Sequence, residues 1–231
     1  MTLPSQIVRS SAVLLLDFDG PVCRLFSGYP ASEIAEEIRS FLLDQGTDLP
    51  KALHTERDPL ALLKWTNDSA PSLLQQVEGI QERGEVRAAE SAAPTAHSSD
   101  AIESATRSGR PVLIVSNNSA RAISHYLKLH QLTSSIASIV GRVPGCPGKM
   151  KPDPYSVLKA FELAGSPPSR GVLVGDSITD IEAAHKASTQ SIGYAKTETR
   201  ATQLANAGAD AVVDNMAVIA EAFAKSSPEA T

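Results

Sequence analysis

Apolar and polar positions follow two rhythms along this chain, and each predicts a different element. Residues 12–16, Ala12-Val13-Leu14-Leu15-Leu16, run without a polar side chain until they stop at Asp17-Phe18-Asp19-Gly20. A short apolar run ended by turn residues reads as a strand buried on both faces. Residues 111–115 and 171–174 repeat the pattern and end in Ser116-Asn117-Asn118 and Gly175-Asp176-Ser177. Residues 136–140, 191–194 and 211–213 are shorter strands of the same kind. Between them, residues 99–108, 120–130, 155–164, 178–187, 199–207 and 216–224 carry the spacing of helices with one buried face. Strands alternating with helices predict an α/β fold, a doubly wound, Rossmann-like parallel sheet.

The interval between the first two strands is too long for one crossover. From Asp17 to Ser116 is 99 positions, whereas a strand–helix–strand unit needs about 30, which leaves roughly 70 surplus. That surplus is residues 22–93, where the pattern is helical. Residues 31–45 place Ile34, Ile38, Phe41 and Leu42 on one face, with Ser32 as the candidate cap and Gly46 as the stop. Residues 59–65 and 72–90 continue with Leu60, Leu62 and Leu63, then Leu73, Leu74, Val77 and Ile80. No strand is predicted between 22 and 93, and residues 23–30, with Gly28 and Pro30, read as a loop. The expected organisation is a core of residues 1–21 and 94–231, with an all-helical lobe, 22–93, inserted beside the aspartates. Ala-rich residues 88–96 are a candidate return hinge. Residues 2–11 read as a polar lead and 226–231 as a frayed tail.

Composition narrows the function. Of 231 residues, 42% are hydrophobic and 20% charged, and a net charge of −5 without a lysine or arginine cluster argues against a nucleic-acid partner. The apolar runs are far too short to span a bilayer, and the N-terminal residues lack a long apolar stretch, so neither a membrane partner nor a signal peptide is expected. A cytoplasmic location is the expectation, with Cys23 and Cys146 as free thiols in that reducing compartment. No oligomeric state is implied.

The chemistry-bearing side chains gather at strand ends. Parallel sheets bind ligands there, and the sequence offers Asp17 and Asp19 after the first strand and Ser116 after the second. The long loop before 155–164 adds Lys151 in Lys151-Pro152-Asp153-Pro154, and the fourth strand adds Asp176, with Asp180 one helical turn later. Singly, each has an ordinary reading: a turn at Asp17–Gly20 or Ser116, a helix cap at Asp176-Ser177, a solvated lysine at 151. Together they resemble the haloacid dehalogenase superfamily of phosphotransferases, whose motifs appear in order as Asp-x-Asp-Gly, a Ser ending the second strand, Lys-Pro-Asp-Pro and Gly-Asp-Ser-x-x-Asp. The resemblance covers residues 12–22 and 94–215. The helical lobe resembles the cap domain of the phosphoglycolate phosphatase and β-phosphoglucomutase branch.

The resemblance implies a Mg2+-dependent phosphatase acting on a small phosphorylated metabolite, phosphoglycolate-like or sugar-phosphate-like, through an aspartyl-phosphate. An anionic phosphate monoester resists an anionic nucleophile, so a divalent cation and a positive side chain are needed. By this resemblance Asp17 is the nucleophile and a metal ligand. Asp19 protonates the leaving oxygen, then activates water, and binds the metal through its backbone carbonyl. Ser116 and the backbone amide of Asn117 hold the phosphoryl oxygens, while Lys151 neutralises charge and pairs with Asp17. Asp176 binds the metal, with Asp180 in or just outside the coordination shell. Retention of Asp19 argues against a dehalogenase, whose leaving halide needs no proton. A phosphomutase of the β-phosphoglucomutase type and a non-catalytic regulatory binding protein on the same fold are the alternatives. Pro21 departs from the family, which commonly has Thr there, and so removes a polar contact near Asp19 and stiffens the loop. Substrate choice falls to the cap, where Arg24 is the candidate contact for a substrate carboxylate or second phosphate. Tyr29, His54 and Arg57 are further candidates, and Trp65 is expected in the cap core.

Overall fold

The computed structural model describes residues 2–225. The chain opens with α1 (Leu3–Ser10) and β1 (Val13–Leu16), then β2 (Cys23–Arg24), α2 (Ala31–Asp44), α3 (Pro59–Ser69), α4 (Leu74–Ser91) and β3 (Ala93–Pro94). It continues through α5 (Ser98–Arg107), β4 (Val112–Val115), α6 (Ala120–Leu129), β5 (Ser138–Val140) and α7 (Tyr155–Ala164). The last elements are β6 (Gly171–Gly175), α8 (Ile178–Lys186), β7 (Gln190–Tyr194), α9 (Glu198–Asn206), β8 (Ala211–Val213) and α10 (Ala217–Ala224).

Six of these strands form one parallel sheet in the order β5-β4-β1-β6-β7-β8. β1 lies inside it, with Leu16 opposite Ile114 on one side and Val174 on the other. Its side chains alternate between two layers, as strand geometry requires. Leu14 and Leu16 pack with Ile102, Ile123 and Phe223, whereas Val13 and Leu15 pack with Val157, Phe161, Ala183 and Ala184. Each leucine so buried contributes about 1.5–3 kcal/mol, which is why an uninterrupted apolar run marks the centre of the sheet. The chain builds outward from β1 in one direction through β4 and β5, then in the other through β6, β7 and β8. The strand order therefore reverses at β1, and a crevice opens above its carboxyl end.

Helices α2, α3 and α4 build a second core from Ile34, Ile38, Leu42, Leu62, Leu63, Val77 and Ile80. Trp65 packs against it, as expected, and Met150, just before Lys151, inserts into it. The last turns of α4 belong elsewhere: Ala88 and Ala89 join the cluster that contains Leu14 and Leu16.

Several local expectations need correction. Residues 3–10 are helical rather than a polar lead, because Ile7 and Val8 dock α1 against α10 and its neighbours. A short antiparallel ribbon, β2 with β3, stands where no strand was predicted, pairing Cys23 with Pro94 and Arg24 with Ala93. Two residues are too few to show a period, and the partner lies far along the chain. Ser32 does not cap α2: the cap position is Pro30, whose carbonyl accepts from the Glu33 amide at 3.0 Å, and no side chain substitutes. The 88–96 stretch is helical as far as Ser91. Residues 226–231, expected as a frayed tail, lie outside the described residues. Both cysteines are free, and among the described residues no helix is long and apolar enough to cross a membrane.

Candidate active site

β1 ends by handing its register to Asp17, whose amide donates to the Val174 carbonyl at 2.9 Å. Phe18 turns into the core and meets the edge of Tyr126, so its neighbours Asp17 and Asp19 share the crevice side. Gly20 then takes φ +115°, and a Cβ there would lie 2.6 Å from Asp176 Cγ. Only glycine satisfies both the backbone and that approach. The turn closes through the Gly20 amide on the Cys23 carbonyl at 2.7 Å and the Cys23 amide on the Phe18 carbonyl at 3.1 Å. Asp19 Oδ1 accepts from the Leu25 amide at 2.8 Å, which ties it to the entry of the helical unit.

Three other segments converge on Asp17. Lys151, almost fully buried, places Nζ 2.8 Å from Asp17 Oδ1, 2.9 Å from the Val115 carbonyl and 2.5 Å from Asp180 Oδ1. Asp180 also closes a capping box on α8, its Oδ2 accepting from the Ser177 amide at 3.0 Å and the Ser177 hydroxyl at 2.7 Å. Gly175 makes room for it, since a Cβ there would fall 2.4 Å from Asp180 Cγ. Asp17, Asp176 and Asp180 each present an oxygen within 4.8 Å of the others.

Beyond β4, the Ser116 hydroxyl donates to Asn118 Oδ1 at 3.0 Å and accepts from the Asn118 amide at 3.2 Å. The Asn117 side chain brackets the Lys151 backbone, accepting from its amide at 2.8 Å and donating to its carbonyl at 3.1 Å. The Asn117 amide has no acceptor among the described residues.

Electrostatics follow from this crowding. Burial, then the Asp180 and Asp176 carboxylates, push the Asp17 pKa up against the pull of Lys151. Burial, with Asp180 and Asp19 beside it, lifts Asp176 to about 7. Burial lifts Asp19 as well, partly offset by the Leu25 amide. Burial works to lower Lys151, but the Asp17 and Asp180 carboxylates outweigh it and hold the lysine above its ordinary range. Carboxylates so poised take up protons or a cation. An oxygen-only donor set of three aspartates within 4.8 Å suits a hard divalent ion such as Mg2+.

The structure thus brings together Asp17, Asp19, Ser116, Asn117, Lys151, Asp176 and Asp180. The Asp19 carboxylate, held by Leu25, is not among the three clustered acids. Arg24 is exposed on β2 and lines a cleft of about 510 Å³ with Gly20, Thr95, Asp176, Tyr194 and Lys196. A cleft of about 540 Å³ between α1 and α10 touches none of the site aspartates. Tyr29 sits in an exposed network with Glu37 and Arg87, and His54 Nε2 lies 3.1 Å from the Leu49 carbonyl, so both are engaged within the helical unit. Arg57 is exposed on the loop before α3. Sequence reasoning missed Glu85 and Arg142, which grip the residue 116–119 loop from behind. The available signal was that Gln81 and Glu85 continue the buried stripe of Val77 and Ala88 on α4.

Known proteins resemble this chain in sequence and in fold. The family model described as haloacid dehalogenase-like hydrolase matches residues 56–194. A phosphoglycolate phosphatase of Aquifex aeolicus (strain VF5) is 32% identical over 99 residues, which take in 41% of this chain and 46% of that protein; the chain spans about half the length of this relative. Two solved structures share the fold. CbbY from Rhodobacter sphaeroides in complex with phosphate has a TM-score of 0.65 at 19% identity, over 93% of this chain and 96% of its own. A HAD family hydrolase from Deinococcus radiodurans R1 with bound phosphate and sodium has a TM-score of 0.61 at 21% identity, over 95% and 100%.

Proposed function

The chain belongs to the haloacid dehalogenase-like hydrolase family, and from that premise we propose that it is a Mg2+-dependent phosphatase of a small phosphorylated metabolite. The observation that carries this reading is the pairing of Lys151 Nζ with both Asp17 and Asp180 inside a cluster of three acids drawn from the end of β1 and the β6–α8 turn. Such an arrangement concentrates one nucleophile, one fixed cation and a cation site within a few ångströms. The likeness to a phosphoglycolate phosphatase over 99 residues supports a phosphate monoester as the substrate class.

In this mechanism an Asp17 oxygen attacks phosphorus, the ester P–O bond breaks, and Asp19 gives its proton to the departing oxygen. The raised pKa of Asp19 suits it to hold that proton. Asp19 then removes a proton from water, whose oxygen displaces Asp17 from phosphorus and releases inorganic phosphate. Ser116 and the free Asn117 amide hold the phosphoryl oxygens, and Lys151 balances the charge on Asp17. Asp17, Asp176, the Asp19 carbonyl and, in or just outside the coordination shell, Asp180 would hold Mg2+, which would supply the remaining positive charge the reaction needs. Residues 22–93 act as a cap on the core of 1–21 and 94–231, excluding water and selecting substrate, with Arg24 at the mouth.

The test is orthophosphate release from a broad panel of phosphate monoesters by purified protein, with Mg2+ and with excess chelator. Release from a subset, abolished by chelator and restored by Mg2+, is expected. Failure on every ester, or turnover unchanged after removal of bound metal, would refute the proposal.

A further inference from the structure

Glu85 and Arg142 form a buried ion pair outside the acidic cluster. Glu85 sits on α4 of the helical unit and Arg142 follows β5 of the core, and their side chains are 0% and 4% exposed. The pairing is bidentate: Arg142 reaches Glu85 Oε1 at 2.7 Å and Oε2 at 3.2 Å. The same pair holds the loop after β4 on three backbone groups. Glu85 Oε2 accepts from the Ser119 amide at 2.9 Å, an Arg142 nitrogen donates to the Asn117 carbonyl at 2.8 Å, and the Arg142 amide donates to the Asn118 carbonyl at 2.8 Å. Gly141 allows this approach, since a Cβ there would lie 2.6 Å from the Ala120 amide nitrogen.

We propose that Glu85 and Arg142 are positioning residues for the phosphoryl-binding loop, so that a helix of the insertion shapes the catalytic site it covers. The inference rests on the reading of Ser116 and the Asn117 amide as phosphoryl contacts. With the Asn117 and Asn118 carbonyls turned toward Arg142, the Asn117 amide is left without a partner among the described residues. The Asn118 side chain, held beside Glu85 at 3.5 Å, orients the Ser116 hydroxyl. The Asn117 side chain, fixed at its root by the same tether, sets the Lys151 backbone. One buried pair thereby governs two groups that would face the transferring phosphoryl, the Asn117 amide and the Ser116 hydroxyl, and the backbone that carries Lys151. Stability alone does not call for it, because an apolar pair of similar volume commonly stabilises as well as a buried ion pair. What an apolar pair lacks is the planar, forked donor set that fixes peptide orientation.

The experiment compares wild type with the double variant Glu85→Leu/Arg142→Met and with Arg142→Lys. Each is followed by thermal melting, by calorimetric binding of inorganic phosphate in Mg2+, and by steady-state kinetics on an aryl and an alkyl phosphate. The double variant removes both charges together, but the Ser119 amide and the Asn117 carbonyl lose these partners, so its melting temperature is expected to fall by several degrees while the protein stays folded. Its phosphate affinity and its kcat are expected to fall about tenfold or more, equally for both esters because the loop touches the phosphoryl group and not the leaving group. Arg142→Lys keeps the charge opposite Glu85 but gives up the reach to the Asn117 carbonyl, and should weaken phosphate binding about threefold, with melting lowered less than in the double variant. Wild-type phosphate affinity and kcat in a folded double variant, or in Arg142→Lys should the double variant fail to fold, would overturn the proposal. A wild-type protein that binds no phosphate with Mg2+ would instead overturn the phosphatase reading beneath it.

Discussion

Replacing Gly20 by alanine separates backbone strain from metal-site geometry at one atom. At φ +115° an L residue is strained by about 2 kcal/mol. In a domain of this size each kcal/mol lowers the melting temperature by about 2–4 °C, so strain alone predicts a loss of about 4–8 °C. The second effect is steric. The new Cβ would lie 2.6 Å from Asp176 Cγ and 2.8 Å from its Oδ2, whereas carbon atoms rest about 3.5–4.0 Å apart. About 1 Å must be found, and the Asp176 side chain is what can move. Metal sites tolerate ligand displacements of about 0.2 Å, so the Mg2+ concentration for half-maximal turnover should rise at least about tenfold. Gly109→Ala is the control: Gly109 also has positive φ, at +78°, but among the described residues nothing beyond its chain neighbours lies within 4 Å of its Cβ position. It should lose stability and keep the wild-type Mg2+ requirement. Melting curves and Mg2+ titrations of both variants decide the matter, and a Gly20→Ala enzyme with unchanged Mg2+ dependence would refute the reasoning.

Three further outcomes are expected. Asp17→Asn should form no phosphoenzyme with Mg2+ and an aryl phosphate, whereas Asp19→Asn should accumulate it, since the nucleophile remains but the base that activates water is lost; intact mass spectrometry reads both, and phosphorylation of Asp17→Asn at the wild-type level would reject the assignment. For Asp176, lifted to about 7 in the fold, the sign is that its ionisation destabilises the metal-free protein: stability is full below the ordinary carboxylate range and is lost as pH rises toward 7. Metal-free Asp176→Asn should therefore gain melting temperature relative to wild type between pH 5 and 8, and a difference that does not change with pH would contradict this. Arg24→Ala should reduce turnover of substrates carrying a second anion about tenfold or more while leaving a small aryl phosphate nearly unchanged; equal losses on both would mean that Arg24 makes no specificity contact.

Much of the site was legible because its chemistry is local. Asp17, Asp19 and Gly20 announce themselves as an apolar run that breaks into a turn, and a strand places alternate residues on one side whatever surrounds it. Ser177 and Asp180 are three apart, so their reciprocal capping follows from helix geometry alone. The buried strands were readable for the same reason, their apolar character being the condition of their burial. The 99-position gap likewise revealed an insertion by arithmetic on crossover length.

Other features depend on which distant residues meet, and local pattern carries no record of that. α1 shows two buried apolar residues in eight positions and becomes a helix by docking on α10. The β2–β3 ribbon exists because both ends of the insertion return to the same place. Taken singly, Lys151 reads as a surface lysine, and only the family resemblance joins it to Asp17; the fold sets it 2.8 Å away, and Glu85 reads as one polar residue in a long helix until Arg142 meets it from the core. In an extended chain these charges are separated and screened by water; inside the fold the low dielectric makes their pairing strong and their separation costly. The sequence by itself therefore determined the strands of the six-stranded sheet, the turn that carries the aspartates and the presence of an insertion, whereas tertiary structure alone decided that Glu85 meets Arg142 and that Lys151 also meets Asp180, and so how the site is held.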